Sequence, residues 1–150
     1  MGLFDILFDK TEPVYEKKET FKVVGIDHYT QDIERLKRIN PLYRCEPSLI
    51  QKTTYVNTKI FKYYFTNFPV KLVEEPKNEH DKNAIKVLIS GRHVGYIARE
   101  DCLHIKKIMA EYPKYFVDSF IGGGDYKIIE SNGSVFDNDY KISINITIYY

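Results

Sequence analysis

With 150 residues, 43% of them hydrophobic and 29% charged, the chain is long enough to bury one core and too apolar to stay disordered. Its formal net charge of +1, from 22 Lys+Arg against 21 Asp+Glu, offers no global basic field to a phosphate backbone, which weighs against tight duplex binding and leaves any nucleic-acid affinity to a local patch. The two cysteines, Cys45 and Cys102, form no Cys-x-x-Cys pair, no signal-peptide pattern is present and no apolar run approaches the roughly 20 residues of a membrane helix, so a reduced, cytoplasmic setting is expected, with no membrane partner.

Met1 to Lys10 sets Leu3, Phe4, Ile6, Leu7 and Phe8 against Asp5 and Asp9. Residues 1–19 read as an N-terminal extension outside the main domain, its apolar stripe either a docking peptide for a partner groove or a helix packed on its own domain. Ile6 stands where a myristoylation signal at Gly2 would need Ser or Thr. Thr20 to Ile26 predicts a strand ended by Asp27-His28-Tyr29-Thr30, with Thr30 capping a helix over Asp32 to Ile39 that Pro41 stops. Within Tyr43 to Asn67, Phe61, Tyr63 and Phe65 alternate with Lys62 and Tyr64, which is strand periodicity with aromatics on both faces. Such a strand is either a stacking platform for bases or ordinary packing.

After a strand at 70–74, Glu75-Pro76-Lys77-Asn78-Glu79-His80-Asp81-Lys82-Asn83 is a tight polar loop, because Asn and Asp side chains bond nearby backbone amides. The apolar run 84–89, the Ser90-Gly91 break and Val94, Tyr96 and Ile97 complete a β-hairpin with that loop at its entrance. Cys102, Ile105, Ile108 and Met109 line one face of a helix over Ala98 to Tyr112, which makes Cys102 a core residue. Strands near 114–121 and 125–130 surround Gly122-Gly123-Gly124, which reads as a bulge or tight turn, and Tyr140 to Tyr149 alternates cleanly with Ile142, Ile144, Ile146 and Ile148 on one face. The sum is one mainly β (α+β) domain, an antiparallel β-barrel of about six to eight strands with two helices.

No catalytic or metal-binding pattern emerges. His28, His80, His93 and His104 lack metal-ligand spacing, there is no phosphate-binding Gly-Lys-Ser/Thr loop or nucleophile elbow, and Glu74, Glu75, Asp81 and Lys86 lack the spacing of a metal-dependent nuclease. No cofactor and no enzyme activity are expected. What the composition does supply is flat faces, since 15% of the residues are aromatic, from 13 Tyr and 9 Phe.

Glu75-Pro76-x-Asn78-x-x-Asp81-x-Asn83-Ala84-Ile85-x-Val87, followed by Val94-Gly95-Tyr96-Ile97 and preceded by Val23-Val24-Gly25-Ile26, resembles a HIRAN domain over residues 20–150, with an insertion around 43–67. Standalone members are typical of bacteria and phages. The resemblance implies an OB-like barrel, without catalytic activity, that holds the 3′ end of single-stranded DNA in repair, replication or phage-related processing, beside a separately encoded helicase or nuclease. The matching site positions are His28, Tyr29, Asn78, His80, Asp81, Tyr96 and Arg99. Asp81 would accept a hydrogen bond from the terminal 3′ hydroxyl, where a further phosphate would meet carboxylate repulsion. Asp27 departs from the pattern, standing where a basic residue occurs in the helicase-linked member, and His80 stands where an aromatic is common. Two alternatives stay open: Asn78, Asp81 and Asn83 cap only their own loop, or the domain is a protein-interaction module that kept the barrel and lost the DNA end.

Overall fold

The computed structural model describes residues 14–64 and 68–150. The amphipathic stretch Met1 to Lys10 and Phe65 lie outside the described residues, among which eleven strands and three α-helices are found.

Period-two patterning builds the main sheet. Ile85, Val87 and Ile89 of β6 (Ile85–Ile89) and Ile144, Ile146 and Ile148 of β11 (Ser143–Tyr149) are fully buried, while the residues between them are only half-buried. Each such side chain contributes about 1.5 to 3 kcal/mol of burial. β5 (Val70–Glu74), β6, β7 (Arg92–Ile97), β1 (Lys18–Val24), β11 and β8 (Phe116–Gly122) join in that order into one six-stranded antiparallel sheet. β1 is its joint: residues 18–22 pair with β11, and Val23 and Val24 pair with Ile97 and Tyr96 of β7. Gly95 permits that crossing, because a Cβ there would meet the Val24 carbonyl oxygen at 2.5 Å and its φ of 154° suits only glycine.

The helix over Arg99–Glu111, here α3, turns Cys102, Ile105 and Ile108 into the core as expected from their spacing. β5 and β8 are the edges of the sheet. They touch one another, yet no hydrogen-bonded ladder joins them among the described residues, so the sheet curls without closing as a barrel.

Several expectations are corrected. Asp32 to Ile39 is not one helix: a 3-10 turn (Ile26–Tyr29) runs into a short α1 (Thr30–Glu34), and Arg38–Ile39 forms β2. Thr30 caps nothing, because the preceding turn already continues into the helix and Tyr29 takes the cap position without a side-chain bond. Ile39 is exposed because β2 pairs with β4 (Tyr63–Tyr64), an arrangement anchored by the Asn40 amide donating to the Lys62 carbonyl at 2.9 Å.

The 43–67 stretch holds a third helix, α2 (Pro47–Thr53), entered through Pro47 at a position where its missing N–H costs nothing. The single aromatic strand expected there is two pieces, β3 (Lys59–Phe61) and β4. β3 joins β9 (Tyr126–Ile129) and the unforeseen β10 (Val135–Asn138) in a small sheet over a second core of Ile50, Ile60 and Ile129. The glycine run is indeed a tight turn. Gly123 and Gly124 both have positive φ, and a Cβ on Gly123 would meet the Lys141 carbonyl oxygen at 2.3 Å.

Candidate nucleic-acid interface

The hairpin entrance is shaped by its own side chains. The Asn78 Oδ1 accepts from the His80 and Asp81 amides at 2.9 and 3.0 Å, and the Asp81 Oδ1 accepts from the Asn83 amide at 2.9 Å. The Ala84 amide donating to the Asp81 carbonyl at 3.1 Å closes the turn. The loop-capping role of Asn78 and Asp81 is therefore real, while Asn83 receives the cap and offers its Oδ1 to Lys106 at 3.3 Å. A carboxylate has about four acceptor sites, so Asp81 keeps capacity for a ligand after capping.

From the loop a chain of polar contacts runs to the opposite rim. The Asn78 side-chain amide donates to the Glu75 carboxylate at 3.4 Å, the Tyr96 hydroxyl stands beside Glu75, and the Tyr29 and Tyr96 rings lie 6.4 Å apart, centroid to centroid. On the other side the Asp81 Oδ2 lies 3.6 Å from the Arg99 Nε at the first turn of α3. Tyr29, Asn78, Asp81, Tyr96 and Arg99 are thus brought together. His28 and His80 are exposed, and no side-chain hydrogen bond ties either into the chain among the described residues. Asp27 pairs with Lys141 at 3.6 Å.

The electrostatics follow from these contacts. The Tyr96 hydroxyl beside Glu75 holds its carboxyl below the usual range, against an opposing effect of burial and with help from Asn78, Lys86 and His93. Burial, then the neighbouring Glu75 and Tyr29, push the Tyr96 phenol well above its ordinary value, so it stays neutral.

Two participants escaped the sequence reading. Glu75 stood in the quoted motif, but nothing there marked it as the bridge between Tyr96 and Asn78. His93 packs its ring 3.9 Å from that of Tyr29 and 4.9 Å from that of Tyr96, centroid to centroid. In a regular strand residues 93 and 96 face opposite sides, but β6 and β7 shift register between Val87 and Leu88, where Gly95 and His93 are consecutive partners. The bulge turns His93 and Tyr96 to one face and buries both Val94 and Ile97 on the other.

Among the described residues no three of His, Cys, Asp and Glu converge to hold a metal ion, and no helix is long and apolar enough to cross a membrane.

A family model for the HIRAN domain matches residues 50–149. Among solved structures, the crystal structure of the HIRAN domain of human HLTF is 19% identical, with 91% of this chain and 78% of that one covered and a TM-score of 0.42. A protein from Lactobacillus plantarum is 15% identical, with 89% and 100% covered and a TM-score of 0.32. No curated protein matches the chain.

Proposed function

Because the chain belongs to the HIRAN domain family, we propose that it is a non-enzymatic module that holds the 3′-hydroxyl end of single-stranded DNA at the hairpin entrance. The observation that carries this reading is the grouping of Tyr29, Tyr96, Glu75, Asn78, Asp81 and Arg99, which sets aromatic faces, a carboxylate with spare acceptor capacity and a guanidinium around one rim. Asp81 takes the terminal hydroxyl, Arg99 reaches the last internal phosphate, and the outer face of Tyr29 and the exposed His80 stack bases. The curled sheet is read as an open form of an OB-like barrel, unclosed between β5 and β8. The setting is cytoplasmic DNA processing, with a separate helicase or nuclease delivering or consuming the end.

Fluorescence anisotropy with short 5′-labelled single strands tests the reading. A unit charge facing Asp81 at about 4 Å costs between about 1 and 4 kcal/mol, depending on solvent access. A strand ending in a free 3′ hydroxyl is therefore expected to bind at least roughly fivefold tighter than its 3′-phosphorylated twin. Equal, millimolar-weak binding of the two would contradict end recognition.

A further inference from the structure

Between β8, at the edge of the main sheet, and the 59–64 aromatics lies a groove of about 540 Å³ that the hairpin entrance does not share. Phe61, Tyr63, Tyr64, Phe120 and Tyr140 line it, with Lys59 at one side, and no carboxylate lines it among the described residues. Phe120, Tyr140 and Tyr64 are 68%, 58% and 45% exposed. The Phe120 ring lies over Gly122, where a Cβ would meet a ring carbon at 2.9 Å, so the missing side chain lets the ring lie down as part of the floor. The Lys59 ammonium sits 5.0 Å above Tyr126 and 5.4 Å above Tyr140, held over aromatic faces.

Tyr63 and Tyr140 also line a neighbouring cleft of about 300 Å³ that reaches Ile26 and Asp27 of the 3-10 turn ending in Tyr29. Four carboxylates line that route; three are paired, Asp27 with Lys141 at 3.6 Å, Asp125 with Lys62 at 3.8 Å and Glu34 with Lys37, and Asp139 has no ion pair among the described residues. A trough therefore runs from the turn that carries Tyr29 to the aromatic groove.

We propose that this groove is a second stacking subsite, which takes bases of the same single strand several nucleotides upstream of its 3′ end, with Lys59 meeting a phosphate. Exposed aromatic faces with a cation beside them and no lining carboxylate match a base-plus-phosphate ligand in shape and charge. The inference rests on the end-binding reading above, and the experiment separates the two.

Affinities of a labelled tetranucleotide and decanucleotide, each with one free 3′ hydroxyl, are measured on the unaltered protein and on Phe120→Ala and Lys59→Gln. Each strand has one end, so end recognition alone gives equal affinities. The longer strand is expected to bind about tenfold tighter or more, from one or two added stacked bases. Each variant should remove most of that advantage without changing tetranucleotide affinity or melting temperature, and Lys59→Gln should lower the decanucleotide's salt slope by about 0.7. Affinities within about twofold of one another would overturn the second subsite and leave end binding standing, whereas failure of both strands to bind would overturn both. If sedimentation shows a dimer that Phe120→Ala dissociates while the length advantage persists, the groove is an interface between copies and the proposal is wrong.

Discussion

The imidazole of His93 lies against the ring of Tyr29, centroids 3.9 Å apart and planes tilted by 36°, and its Nε2 donates to the Gly95 carbonyl at 3.1 Å. The ring that bears the candidate stacking face of Tyr29 is thus braced by a residue fixed to the strand behind it. One face of Tyr29 is already occupied, and a base has only the outer one.

This brace is sensitive to acid. Burial first, then the Lys86 charge, hold the His93 pKa below its ordinary value, against the Gly95 bond and the Glu75 and Asp32 charges. The unfolded chain then binds more protons than the folded one, so stability is complete well above the ordinary value of about 6.5 and is lost as pH falls through it toward the folded value. Glu75, also lowered, extends the loss with the same sign below its ordinary value of 4.5. The melting temperature should fall between about pH 7.5 and 5.5, and His93→Gln should flatten that profile. An unchanged profile in the variant would show that His93 does not titrate with folding.

Gly95→Ala should be the most damaging conservative change in the hairpin. Its Cβ would meet the Val24 carbonyl oxygen at 2.5 Å and the Val23 Cγ1 at 2.8 Å, both held by the pairing of β1 with β7. A loss of about 3 kcal/mol or more is expected, roughly 6 to 12 °C in melting temperature. A loss below about 2 °C would mean that β1 yields at this crossing.

Asp81→Ala removes the acceptor of the Asn83 amide and the partner of Arg99, whose side chain is 76% exposed and whose ion pair therefore adds little. Stability should fall by only about 1 kcal/mol. The preference for a free 3′ hydroxyl over a 3′ phosphate should disappear. A fall of more than about 10 °C with the preference intact would leave Asp81 as a loop cap alone.

Stacking should outweigh charge. Tyr29→Ala is expected to cost about 1 to 3 kcal/mol of single-strand affinity. Arg99→Ala should cost less but lower the salt slope by about 0.7, from a total on the order of one to two for a short strand. A slope of about five or more with Tyr29→Ala silent would mean that the strand follows another track.

Where period and turn chemistry were local, the sequence was readable. The alternation of β11, the spacing of Cys102, Ile105 and Ile108, and the Asn78 and Asp81 turn all took the conformations their patterns require. What stayed hidden depended on distant partners. Ile39 falls on the helical stripe of Ile33 and Leu36, but Tyr63 and Tyr64 of β4, distant in sequence, recruit Ile39 and Arg38 into a strand. β10 has little apolar pattern and exists because β9 lies beside it. His93 was missed for a different reason: a one-residue bulge reverses the face to which it belongs, and the signal for it was Gly95, a lone glycine inside a strand pattern.

The most direct test of where the DNA end sits is a map of amide chemical-shift changes as an unlabelled tetranucleotide with a free 3′ hydroxyl is added to isotope-labelled protein. The account requires the largest changes at Tyr29, Asn78, His80, Asp81, Asn83, Tyr96 and Arg99, weakened when the strand carries a 3′ phosphate. Changes confined to β8 and the small sheet, with those amides unmoved, would contradict it.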